Sequence, residues 1–154
     1  TENLDAIILA AAGVKRLGFE NRITEYLDEI IMLPAAGQGA LCVETRQNDA
    51  RVGPIVAALE HQQTKSIVMG ERAFLNRLEG GCQVPIAAHG KIEENTFTLC
   101  GLVATLDGTT VIKDTLSGSV DSSEIIGVEL ADLLASKGAK TIMEELYTDL
   151  SPDL

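Results

Sequence analysis

The sequence predicts an α/β segment followed by a complete α+β domain. Three observations predict it. A short apolar run opens the chain and is closed by glycine, a helix-period stretch follows residue 66, and three strand-like runs separated by turn signals lie between residues 86 and 116. The first part reads as incomplete doubly wound sheet segments, because one strand, a helix and another strand cannot close such a sheet. The second reads as three antiparallel strands with helices against one face. The division falls near residue 62.

Composition limits what such a chain can be. Its 154 residues are 45% hydrophobic, enough for one good core or one small domain plus a piece of another. Aromatic residues are only 3% and tryptophan is absent, so the core is built from Ile, Leu, Val and Ala. A net charge of -11 excludes a general nucleic-acid surface, which needs clustered basic excess. There is no uninterrupted apolar run of about 18 residues and no basic, apolar leader. The expectation is a soluble, cytoplasmic protein with no membrane or nucleic-acid partner.

Three cysteines at wide spacing, Cys42, Cys82 and Cys100, fit neither a disulfide framework nor paired zinc ligands. Cys42 and Cys100 sit inside apolar runs and read as small buried hydrophobes. Cys82 follows two glycines and does not.

In chain order, Leu4–Ala12 reads as a strand buried on both faces. Lys15 and Arg16 follow at what would be its carboxyl end, the edge where ligands sit in open α/β sheets. The pair either receives an anion or is a solvated loop charge. Residues 23–33 run into Pro34 and should end extended. Pro34-Ala35-Ala36-Gly37-Gln38-Gly39-Ala40 is a loop that lets backbone approach a ligand, though it lacks the third glycine of a dinucleotide fingerprint. A strand is expected over Leu41–Arg46. Asn48 and Asp49 supply helix-start chemistry for a short helix over Val52–Leu59, with Pro54 tolerated in its first turn. The polar residues Gln62–Lys65 then break the pattern.

From Ser66, Ile67, Val68, Phe74, Leu75 and Leu78 share one helical face. Gly80 or Gly81 is expected to end this helix in the left-handed conformation. Cys82 therefore follows a helix C-terminus, where the dipole raises a thiol pKa, so any activation must come from elsewhere. Strands are expected over Ile86–Lys91, Phe97–Leu106 and Thr110–Leu116, turning at Glu94-Asn95 and Asp107-Gly108. Asp121 and Glu124 stand at capping-box spacing before a helix with Ile125, Val128, Leu133 and Leu134 that runs to Lys137-Gly138. A last helix carries Ile142, Met143 and Leu146.

Leu78-Glu79-Gly80-Gly81-Cys82-Gln83-Val84-Pro85-Ile86, with Pro34-Ala35-Ala36-Gly37-Gln38-Gly39-Ala40-Leu41 and Leu9-Ala10-Ala11-Ala12-Gly13-Val14-Lys15-Arg16-Leu17-Gly18, closely resembles the porphobilinogen deaminase family, also called hydroxymethylbilane synthases. The three motifs stand in the expected order and cover nearly the whole chain. The resemblance implies the C-terminal half of a three-domain enzyme whose first two domains resemble periplasmic binding proteins. Residues 1–33 would end domain two, 34–61 would return to domain one, and 62–154 would form domain three.

The family condenses four porphobilinogen molecules into hydroxymethylbilane, releasing ammonia each time, on a dipyrromethane cofactor held by a cysteine thioether. By resemblance Cys82 is the attachment residue. A soft sulfur nucleophile suits the electrophilic azafulvene left when porphobilinogen loses its amine, and the flanking glycines leave room for a bulky adduct. Every pyrrole carries an acetate and a propionate, so the growing polypyrrole needs positioned guanidinium groups. Arg16 matches a family residue that binds such carboxylates. Gly13, Ala10 and Gln38 match positions that contact the cofactor.

Arg46 and Arg72 are weaker candidates, read first as structural ion pairs. The family's catalytic aspartate lies in the missing N-terminal half. No catalytic carboxylate is therefore assigned here, and Glu44, Glu71 and Glu79 are not promoted to that role. His61 and His89 read as surface or packing residues, and no metal is implied.

The whole enzyme is expected to be a monomer and this portion alone inactive. The unpaired edges of residues 1–60 leave displacement, swapping or dimerisation open. Two other readings stand beside the enzyme: a non-enzymatic interaction module on the same fold, and a thiol redox domain. The joint presence of Cys82, Arg16 and Gln38 speaks against the first. The absence of a resolving cysteine close in sequence to Cys82 speaks against the second.

Overall fold

A computed structural model describes residues 4–79 and 84–150, with side chains to residue 147. The chain forms two compact units, Thr1–Met32 and Leu33–Leu154. In the first unit residues 6–10 have no regular structure, α1 spans Ala11–Arg16, and a 3-10 turn covers Glu20–Arg22. The strand expected over Leu4–Ala12 is not formed, and Leu4, Ile7, Ile8 and Leu9 are more than 60% exposed. A buried strand draws its hydrogen bonds from neighbouring strands, and the described residues offer this run none.

The second unit opens with a turn at residues 36–39, and no strand follows over Leu41–Arg46. Leu41 is 99% exposed and Cys42 is exposed rather than buried, again for want of a pairing strand. α2 is Gly53–Ala57, with Pro54 in its first turn as expected. Asp49 Oδ1 accepts the N–H groups of Arg51 and Val52 at 3.0 Å each, satisfying donors ahead of the helix.

α3 runs Gln62–Arg77, so the polar stretch expected to break the pattern is instead this helix's first turn. His61 caps it. Its Nδ1 accepts from Thr64 N–H at 3.4 Å and lies 2.8 Å from Thr64 Oγ1.

Three antiparallel strands follow in the order β1-β2-β3: β1 Ile86–Glu93, β2 Thr96–Ala104 and β3 Val111–Ser119. The register pairs Gly90 with Leu99 and Leu99 with Leu116. Turns stand where the sequence places them, with Glu94 (φ 54°) in the first and Gly108 (φ 69°) in the second. Asp107 anchors the second turn by accepting from the Thr105 hydroxyl and from the N–H and hydroxyl of Thr109.

α4 (Ser123–Leu134) and α5 (Lys140–Leu150) follow, joined through Ala135–Ala139 with a bend at Gly138. The expected capping box is absent. A 3-10 turn at Val120–Ser122 leads into α4, and its N-cap, Ser122, makes no side-chain capping bond.

α3 and α4 lie on one face of the sheet and close the core. Phe74, Phe97, Leu99, Val103, Leu130 and Leu134 are fully buried, and each such side chain is worth about 1.5–3 kcal/mol over its exposed state. On α4 the buried face is Ile126, Leu130, Ala131 and Leu134, whereas Ile125 and Val128, expected inside, face outward at 59% and 37% exposure. The rotation follows from Gly127, whose Cα sits against the Gly70 carbonyl of α3. Cys100 lies on the opposite face of β2 from the core residues Leu99 and Gly101 and is only half-buried.

A Cβ at Gly127 would meet the Gly70 carbonyl oxygen and lie 3.0 Å from Phe74 N. Gly127→Ala should therefore cost about 1–3 kcal/mol of overpacking, read as a lowered urea midpoint. Acid should destabilise the sheet in a defined window. Lys137 and then the Thr115 N–H hold the Asp114 carboxyl below its usual range, and the Thr105 hydroxyl and then Thr109 do the same for Asp107. A carboxyl lowered in the folded state contributes stability that is complete above the unfolded value of about 4 and is lost as pH falls through the folded value. The paired Asp107→Asn, Asp114→Asn variant should lose less stability than wild type on acidification below about pH 4, measured by urea unfolding at each pH.

Candidate functional site

Cys82 lies outside the described residues, with Gly80, Gly81 and Gln83, so the expected left-handed glycine also falls outside them. Both flanks of that segment are fixed. At the end of α3, Glu79 itself takes a left-handed conformation (φ 55°), one residue before the glycines the sequence points to. The Tyr147 hydroxyl of α5 donates to its carbonyl. On the far side Val84 is buried, its carbonyl accepts Ile86 N–H at 2.8 Å, and Pro85 carbonyl accepts Ala104 N–H at 3.0 Å. Val84-Pro85-Ile86 thus joins the segment to the sheet.

Gln38 is exposed between Gly37 (φ 74°) and Gly39 (φ 84°). Such backbone favours glycine, and it folds residues 35–40 into two successive turns, with Gln38 N–H donating to Ala35 carbonyl and Ala40 N–H to Gly37 carbonyl. Ala36 packs against the core. The loop has one further tether that sequence reasoning missed. Glu71 of α3 is 4% exposed, and its Oε2 accepts Gly37 N–H at 2.6 Å while its Oε1 accepts Gly90 N–H of β1 at 2.8 Å. A glutamate beside Gly70 on the buried face of an amphipathic helix was the available signal. His89 Nδ1 stands 4.0 Å from the same carboxylate, so this histidine packs beside a buried charge.

Ala10, Gly13 and Arg16 come together on α1 in the first unit. Ala10 carbonyl accepts the N–H groups of Gly13 (3.0 Å) and Val14 (3.3 Å), which starts the helix. A Cβ at Gly13 would meet no atom within 4 Å, so this side of the helix is open. The two adjacent cations differ. Lys15 Nζ is 3.3 Å from Glu20 Oε1 and 4.9 Å from the Tyr26 ring centre. Tyr26 first, then Glu20, hold its pKa above the usual value. Arg16 is exposed and has no hydrogen bond or ion pair among the described residues. Arg46 and Arg72 are also exposed, without the ion pairs expected of them among those residues.

Within the first unit, Arg16 offers a guanidinium and Gly13 an open face beside it, chemistry suited to a carboxylate. In the second unit, Gln38 presents an exposed amide from a loop whose backbone is set by two turns. Among the described residues no group of three His, Cys, Asp or Glu could hold a metal ion.

Residues 65–136 match the family model described as porphobilinogen deaminase, C-terminal domain, and residues 1–53 match the one described as porphobilinogen deaminase, dipyromethane cofactor binding domain. The chain belongs to the porphobilinogen deaminase family. Curated relatives bear that name. One from Pelobacter propionicus is 52% identical over 146 residues, 95% of this chain and 47% of the relative. Another, from Geobacter metallireducens, is 51% identical over 95% of this chain and 46% of its own length, and one from Carboxydothermus hydrogenoformans is 48% identical over 96% and 47%. The chain thus spans about half the length of the porphobilinogen deaminases it matches, a family with a dipyrromethane cofactor. No described helix is long and apolar enough to cross a membrane.

Because Arg16 is exposed and has no hydrogen bond or ion pair among the described residues, Arg16→Ala should change the chain's stability by no more than about 0.5 kcal/mol. Matched urea unfolding curves check this.

Proposed function

We propose that the chain is the C-terminal portion of a transferase that condenses four porphobilinogen molecules into hydroxymethylbilane with release of ammonia, with Cys82 carrying the dipyrromethane through a thioether. The observation that carries this reading is that two stretches of the chain match models of one enzyme family, in order, with Cys82 inside the second. When bound, the dipyrromethane supplies the primer on which the pyrrole chain grows.

The chain's own residues hold and orient that group. Cys82 gives the covalent tether, on a segment fixed at Glu79 by Tyr147 and at Val84 and Pro85 by the sheet. Arg16 offers a planar guanidinium, suited to two-point recognition of an acetate or propionate. Gly13 allows close approach beside it, with Ala10 at the same helix start. Gln38 presents an amide from a loop whose backbone is already set, which lowers the ordering cost of binding.

The proton transfers at each pyrrole belong to a carboxylate in the other half of the protein. Residues 1–33 then close domain two, 34–61 return to domain one, and 62–154 form domain three. The first two domains are of the periplasmic-binding-protein type. There, neighbouring strands supply the hydrogen-bond partners that Leu4–Ala12 and Leu41–Arg46 lack among the described residues, and they cover exposed Leu4, Ile7, Ile8 and Leu41. This portion alone is inactive, and the whole protein works in the cytoplasm as a monomer.

Intact-mass analysis of the full-length protein should show a covalent dipyrromethane that Cys82→Ser abolishes. An unchanged adduct on the serine variant would exclude the assignment. This chain expressed alone should consume no porphobilinogen in an ammonia-release assay, whereas measurable turnover would place the acid-base residue within it.

A further inference from the structure

We infer that Glu71 is a positioning residue for the cofactor site, setting the Gln38 loop against the helix from which the Cys82 segment departs. The inference rests on the thioether reading above and adds a residue to it. Glu71 is buried between α3, β1 and the Gln38 loop, and both of its oxygens are used. Oε1 takes Gly90 N–H at 2.8 Å and Oε2 takes Gly37 N–H at 2.6 Å. Gly37 is 34 residues away in sequence and immediately precedes Gln38.

Three elements therefore meet on one carboxylate: α3, the edge strand β1 and the Gln38 loop. Bonds from N–H donors to a carboxylate are stronger than neutral ones, and a buried carboxylate stripped of its donors is costly, so the junction resists opening. Glu71 lies on α3, whose C-cap Leu78 directly precedes Glu79 and stands about 10 Å further along the axis at 1.5 Å per residue. The base of the Cys82 segment and the Gln38 loop are thus referenced to the same rigid rod, and the edge strand fixes how far the rod is inserted. Binding elements held on such a scaffold pay less to be ordered around a bulky, multiply charged group.

Glutamine at this position tests the inference. Its NH2 would face an N–H donor, so Glu71→Gln can satisfy only one of Gly37 and Gly90 and loses the charge. Two readouts are taken on the full-length protein: amide exchange by NMR or mass spectrometry, and the rate of covalent adduct formation when cofactor-free protein is given porphobilinogen, followed by intact mass. In wild type, Gly37 N–H should exchange at least tenfold more slowly than Gly39 N–H in the same loop. This needs neither a variant nor a cofactor, and equal rates overturn the inference even if the variant fails to fold.

In Glu71→Gln, protection at residues 34–40 should fall about tenfold while the β2–β3 amides keep theirs, and adduct formation should slow severalfold. Loss of protection with adduct formation at the wild-type rate overturns the positioning role, as does loss spread evenly over the sheet. If wild-type protein never acquires the adduct, the thioether reading itself fails. The exchange rates separate that result from a failure of the Glu71 tether.

Discussion

The structure depends on how closely α3 can approach the sheet and α4. A Cβ on Gly70 would stand 2.6 Å from the Phe97 ring, and one on Gly90 would stand 2.8 Å from the same ring. Both distances are impossible for real side chains, so Phe97 occupies a slot that only this pair of glycines leaves open. Gly127 of α4 meets the Gly70 carbonyl from the other side. Gly70 and Gly127 thus bring α3 and α4 to backbone contact, while Gly70 and Gly90 make room for the Phe97 ring between α3 and the sheet. In a chain with so few aromatic residues, Phe97 and Phe74 supply much of the core volume, and the glycines supply the matching hollows.

That close approach has an electrostatic consequence. Glu71 follows Gly70 directly, and with α3 seated against β1 its carboxylate reaches the Gly90 N–H on the edge strand's open side. Its other oxygen remains for Gly37. A carboxylate in this interface is tolerable because both oxygens are charge-assisted acceptors. The Gln38 loop is therefore bound to the helix that precedes Cys82 in the sequence.

The helix-period stretch, the strands of the second unit and both hairpin turns were legible because each is stabilised by residues near in sequence. The local record also held the cysteine, the Gln38 loop between its glycines and the Lys15-Arg16 pair. It did not reveal which of that pair is available. Lys15 is engaged by Glu20 and Tyr26, five and eleven or so residues on, and Arg16 is not. The strands expected over Leu4–Ala12 and Leu41–Arg46 failed for a different reason. Their composition suits a buried sheet, but composition cannot provide partners, and unpaired backbone gains nothing from an extended apolar run.

By itself, the sequence determined the family, the order of elements from α3 onward and the chemical inventory of the candidate site, since all three reside in residue identity and short-range spacing. Tertiary structure alone decided three other matters: that α4 turns Ile126 rather than Ile125 inward, that Cys100 faces away from the core, and that Glu71 joins Gly37 to Gly90. The first depends on α3 and α4 meeting at backbone contact, and the third on one side chain reaching two segments distant in sequence. A single glycine that permits such contact carries no periodic signal along the chain.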